Sequence, residues 1–131
     1  MKLQKYSRNR LMETFAQWHV PKDFADPMYN YLVHGFDPGS FFRSVLANDF
    51  VGAIRRSHPS NTLEAKKALA GWIVDTVPFE ARGDYVKVDN WCKLSEDERR
   101  ATLEKHNLVF STEDEAIMIL SGTPTTEPFL Y

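Results

Sequence analysis
The sequence predicts a mainly α-helical protein, a compact bundle of six to eight short helices with little or no sheet. Three observations carry this. Apolar residues recur at helical spacing, as in Leu11, Phe15 and Trp18. Cap residues stand where such stripes begin, including two capping boxes, Ser95-x-x-Glu98 and Thr112-x-x-Glu115. The one short apolar run that could be a strand is Leu108-Val109-Phe110, strand or extended. With 131 residues, 43% of them apolar, the chain is long enough to build one domain around a packed core.

Residues 4–19 read as the first helix, with Leu11, Phe15 and Trp18 on one face. Arg8 and Arg10 lie near its start, where the helix dipole disfavours cations. A phosphate or acidic partner surface would explain them; so would a solvated basic face. Pro21 closes the helix. Asp26-Pro27 pairs an N-cap with a first position for a second helix over Met28–His34. Met28, Tyr31 and Leu32 share a side of it, and Gly35 ends it.

Asp37 and Pro38 repeat the start signal. The stripe that follows, Phe42, Val45, Leu46, Phe50, Ala53 and Ile54, fits one helix over 38–57. The alternative is a break at Asn48-Asp49, with Asp49 capping a further helix. Short polar residues compete for helical backbone groups. The pair is therefore either a buried cap joining two helices or a contact with a partner.

Ser57-His58-Pro59-Ser60 reads as a turn, and Ser60 as the cap of a helix over 61–77. Ala65, Leu69, Trp72, Ile73 and Thr76 form its apolar face, and Pro78 stops it. Asp84 caps a short helix through Trp91. Ser95 opens a polar helix to about His106, ended by Asn107. Thr112 opens a last helix through Leu120, apolar nearly all round and therefore buried, in this chain or in a partner. A homodimer through that helix is one such arrangement. The tail, Thr123–Tyr131, is expected to be extended. The expected core is Phe42, Leu46, Phe50, Ile54, Leu69, Trp72, Ile73, Val88 and Trp91.

Composition excludes several functions. The net charge of −2 argues against a nucleic-acid binder held by general electrostatics. The charge is uneven: residues 1–66 hold nine basic and six acidic residues, residues 67–131 seven and twelve. A two-signed chain can meet a two-signed partner. Cys92 is the single cysteine, which rules out a disulfide framework and fits a reducing cytoplasm. No apolar run is long enough to span a membrane, and no apolar stretch follows the basic start to make a secretion signal.

Catalytic and cofactor motifs are missing. His19, His34, His58 and His106 have no i, i+4 partner, so no metal is expected. There is no phosphate loop and no G-x-S-x-G, so neither a cofactor nor an enzyme activity is expected.

Three stretches together resemble a widespread group of small bacteriophage and prophage proteins of unassigned function. They are Tyr31-Leu32 … Gly35 … Pro38-Gly39-Ser40-Phe41 … Val45-Leu46-x-Asn48-Asp49, then Asn61 and its helix to Pro78, then Gly83-x-x-x-Lys87-Val88-x-x-Trp91. The likeness covers residues 28–91 and departs at Ser57–Ser60, where the group often has an Ala-Asp pair before the Asn. Residues 1–25, a basic helix, and 92–122, a helical extension, stand outside it, as does the tail.

The resemblance implies an accessory protein in bacterial host cytoplasm that binds a host protein, with defence nucleases among the targets. The competing expectation is a small DNA- or RNA-binding protein. Candidate binding residues for the two readings are Arg8, Arg10, Arg43, Asn48, Asp49, Arg55 and Arg56.

Overall fold
Trp72 and Trp91 are the largest side chains sealed from solvent, and the helices are laid around them. The computed structural model describes residues 2–57 and 62–109, with side chains from Ser7 onward. Among these the protein is mainly helical, with seven α-helices, two single 3-10 turns and no strand.

Helix α1 (Lys2–Trp18) places Leu11, Met12, Thr14 and Phe15 in the core. The Phe15 ring meets Trp72 edge-on, with centroids 4.8 Å apart. The Trp72 indole N–H donates to Thr14 Oγ1 at 2.8 Å, and that hydroxyl donates to the Leu11 carbonyl at 2.6 Å. Trp18, expected on the same inward face, is 38% exposed. It lies at the helix end, where its indole donates to Asp75 at 2.9 Å. Its ring covers Gly71, where a Cβ would come within 2.6 Å of it.

Helix α2 (Ala25–His34) is entered through a 3-10 turn at Lys22–Phe24, not through an Asp26-Pro27 cap. Asp26 instead lies in the first turn and receives the Arg8 guanidinium. Met28, Tyr31 and Leu32 are buried together as expected. The Tyr31 hydroxyl donates to the Ala81 carbonyl at 2.7 Å, and burial drives this phenol far above its ordinary pKa. Gly35 ends the helix with φ +69°.

Asp37 accepts from the Gly39 N–H at 2.9 Å, a local turn that delays the next helix. Helix α3 (Ser40–Leu46) therefore starts after Gly39 rather than at Pro38. It buries Phe41, Ser44 and Leu46, and Phe42 is only partly covered.

The 38–57 stripe is not one helix. The chain breaks at Asn48-Asp49, and helix α4 (Phe50–Arg56) begins anew. The expected burial of Phe50 and Ile54 fails for this reason, since a 3.6-residue period cannot be carried across a turn. Gly52 and Ala53 face inward instead.

Helix α5 (Leu63–Thr76) is capped by Thr62, whose hydroxyl accepts from Ala65 N at 3.0 Å. Leu69, Trp72 and Ile73 form its inner face. The proposed Ser60 cap lies outside the described residues, as does most of the 57–60 turn. Beyond Pro78 and a 3-10 turn at Phe79–Ala81, Arg82 reaches back to the Val77 and Val74 carbonyls at 3.0 and 3.3 Å. It thereby places a cation at the negative end of α5.

Helix α6 (Tyr85–Lys93) has the expected Asp84 cap, at 2.8 Å from Lys87 N. Its Trp91 indole is shared between the Tyr31 and Leu32 carbonyls at 3.1 and 3.2 Å. Helix α7 (Glu96–Lys105) has the full Ser95–Glu98 capping box.

Three helices end by one device. His19, Asn48 and Asn107 take left-handed φ values of 58°, 64° and 58°. Each is followed by a residue whose N–H reaches five residues back: Val20 to Phe15, Asp49 to Ser44, Leu108 to Leu103. Leu108 and Val109 are thereby folded in beside Leu11, Tyr29, Val33 and Leu103. Phe110, the Thr112 capping box, the helix through Leu120 and the tail lie outside the described residues.

Candidate functional site
The seven residues singled out in the sequence separate into two groups. Arg8 and Arg10 belong to α1. Arg8 is buried, pairs with Asp26, and lies 4.6 Å above the Tyr29 ring. It therefore stitches α1 to α2 and does not face an outside phosphate. Arg10 pairs with Glu13 at 3.3 Å and donates to the Asn107 carbonyl at 3.3 Å.

Of the other five, Arg43, Asn48, Asp49 and Arg56 meet where α3, α4 and α6 join, and Arg55 does not. Asn48 supplies the left-handed step, which Asn tolerates better than most residues. Asp49 then caps α4, accepting from Gly52 N at 2.9 Å. The pair is thus a helix stop followed at once by a helix start, which accounts for two short polar residues inside an apolar pattern.

Asp49 has a second job. Its other oxygen accepts the Tyr85 hydroxyl at 2.6 Å. Arg56 lies over the same oxygen at 3.5 Å and donates to Ser44 Oγ at 2.6 Å and to the Tyr85 oxygen at 3.0 Å. Ser44 in turn donates to the Ser40 carbonyl at 2.8 Å. Gly52 leaves the room for this cluster, because a Cβ there would fall 2.6 Å from Arg56 Nη1. The Tyr85 hydrogen bond, and after it the Gly52 N–H, hold the Asp49 carboxyl below its ordinary pKa.

Arg43 pairs with Asp89 of α6 at 2.5 Å and stands 5.6 Å from the Tyr85 ring centre. That hydrogen bond holds the Asp89 carboxyl below its ordinary pKa. The joint therefore holds two matched charge pairs, and its polar atoms bond to each other. Such a network fixes α4 against α3 and α6. Ser44 has no histidine base in it, and its proton goes to a backbone carbonyl.

Tyr85 and Asp89 were not among the residues singled out from sequence. Asp49 and Tyr85 are 36 residues apart, and nothing local marks them as partners. Cys92 is half-buried, and burial first, then the Asp37 charge, pushes its thiol up, away from nucleophilic use. No group of three or more His, Cys, Asp or Glu suited to a metal occurs among the described residues. No helix among them is long and apolar enough to cross a membrane.

Arg55 points elsewhere. It is exposed in the last turn of α4 and forms no ion pair among the described residues. Beside it stand Phe50, Val51 and Ile54, exposed at 52%, 70% and 48%. At 3.6 residues per turn, positions i, i+1, i+4 and i+5 fall within an arc of about 140° on one side of the helix. The outward face of α4 is thus three large apolar side chains and one cation.

No family model, curated protein or solved structure matches this chain. What the described residues define is a class, a mainly α-helical protein in which hydrogen bonds tie α4 to α3 and α6 while its apolar side chains turn outward. The likeness to small phage and prophage proteins rests on the sequence pattern alone.

Proposed function
We propose that the chain is a phage-type accessory protein that binds a bacterial host protein and modulates or inhibits it in the host cytoplasm. A defence nuclease complex, as for an anti-CRISPR protein, is the target class we favour. The supporting observation is the outward face of α4. Phe50, Val51 and Ile54 stand adjacent in water while the core beneath is filled by other residues. Clustered exposed apolar side chains mark interaction sites.

The competing reading, DNA or RNA binding through Arg8, Arg10, Arg43, Arg55 and Arg56, has less support. Four of these arginines already face a carboxylate. Phosphate contact would have to break those pairs.

The test expresses the tagged chain in phage-sensitive bacteria that carry an active nuclease defence. The wild type should retain one host protein in near-stoichiometric amount and restore plaque formation. Val51→Asp, equally folded by circular dichroism, should do neither. Identical behaviour of the two chains sinks the proposal. Oligonucleotide binding that falls steeply between low and moderate salt would favour the competing reading.

A further inference from the structure
We propose that α4 docks into an apolar groove of its partner whose edge carries carboxylates, with Phe50 and Ile54 as anchors and Arg55 meeting the acidic edge. This rests on the reading of α4 as the docking face and names the chemistry of what it meets.

Charge complementarity carries the choice. The sequence of α4, Phe-Val-Gly-Ala-Ile-Arg-Arg, contains no acid. Asp49, just before it, is held by Tyr85, Gly52 and Arg56. Arg56 is turned toward that carboxylate and Ser44. The face therefore presents apolar surface and the Arg55 charge, with no carboxylate of its own. A partner edge of like sign would be repelled, and a neutral one would leave the guanidinium uncompensated as the groove closes.

Shape selects a groove. Seven residues make a helix about 10 Å long, and its apolar face is convex and narrow. A contact between two copies confined to this seven-residue helix would engage far fewer than the roughly 20–30 residues a side of a standard interface. A convex helix gains most by lying in a concave apolar slot. The joint also holds α4 in place before binding, which lowers the ordering cost. An anionic membrane is less suited, since such surfaces select clusters of about 4–8 cations.

The full-length chain is tested against the host protein it retains, once that protein is purified, by calorimetry at two salt concentrations. Val51→Asp should weaken binding by about 100-fold or more. Arg55→Glu should weaken it by roughly tenfold or more and flatten the salt dependence, and Arg55→Lys should restore most of both.

If Val51→Asp binds normally, or no protein is retained, the docking face itself is wrong. If Val51→Asp fails but Arg55→Glu binds as tightly as wild type, the face stands and the acidic edge falls. A dimer in sedimentation that Val51→Asp splits puts a second copy on α4 and overturns the proposal. Flotation with vesicles of one part phosphatidylglycerol to three of phosphatidylethanolamine, lost in Val51→Asp, overturns it in favour of a membrane. In the free monomer Phe50 should be oxidised by hydroxyl radicals; a protected Phe50 means that another part of this chain covers it, and the proposal fails.

Discussion

Tyr85 donates its hydroxyl proton to Asp49 at 2.6 Å, tying the first turn of α6 to the cap of α4. The bond favours the ionised carboxylate, so it links the fold of this joint to pH. Asp49 has a folded pKa below its ordinary value, so its contribution to stability is present above the usual carboxylate range and lost as pH falls through the folded value. Tyr85→Phe should raise the Asp49 pKa toward the ordinary value near 4, read by carboxyl carbon shifts in an NMR titration. An unchanged titration would mean that the hydrogen bond is not formed in solution.

Acid should weaken the whole fold by the same route. Asp49, Asp89 and Glu98 are all lowered, by Tyr85, by Arg43 and by the Ser95 backbone respectively. Each stabilising contribution is complete above its unfolded pKa and disappears below. The urea midpoint should therefore be nearly flat from pH 7 to about 5 and drop below about pH 4.

Gly35 and Arg99 test each other. A Cβ on Gly35 would fall 2.5 Å from Arg99 Nη1, and φ is +69°. Arg99 is buried, donating to the Val33 carbonyl at 3.1 Å and to that of Leu94. Gly35→Ala should cost more than the ~1–2 kcal/mol of left-handed strain. In an Arg99→Ala background the same change should cost only that strain, and chemical denaturation of the four chains measures the coupling.

The Trp72–Thr14 bond predicts a clear loss on the α1 side. Thr14→Val keeps the shape but leaves the buried indole N–H without its acceptor, at about 1–3 kcal/mol. Trp18→Phe, which removes the exposed indole bond to Asp75, should cost about 0.5 kcal/mol or less. Equal effects in thermal melts would contradict the burial pattern.

Phe41 and Phe50 belong to neighbouring helices and should behave oppositely. Phe41→Ala opens the core beside Phe24 and should cost about 3 kcal/mol or more. Phe50→Ala should stay within about 0.5 kcal/mol.

The elements that were legible in the sequence are the ones fixed locally. Asp84, the Ser95–Glu98 box, Asn107 and Gly35 act within a few residues of themselves, so their types announce their roles. Asp49 as a cap was one of two readings, and the geometry selects it. Facing was harder to read. Phe50 and Ile54 kept the 3.6-residue period of α3 by coincidence, and the turn at Asn48 removed its meaning. Long-range pairing was invisible. Arg8 meets Asp26 and Arg43 meets Asp89, partners 18 and 46 residues away, so no local signal separates these arginines from a solvated patch.

The joint divides α4 cleanly. Asp49, Gly52, Ala53 and Arg56 keep the helix in place, and Phe50, Val51, Ile54 and Arg55 meet the outside. Substitutions in the second set leave the frame untouched. If a partner's surface drifts, this chain can follow it through four codons without first acquiring compensating changes in its core.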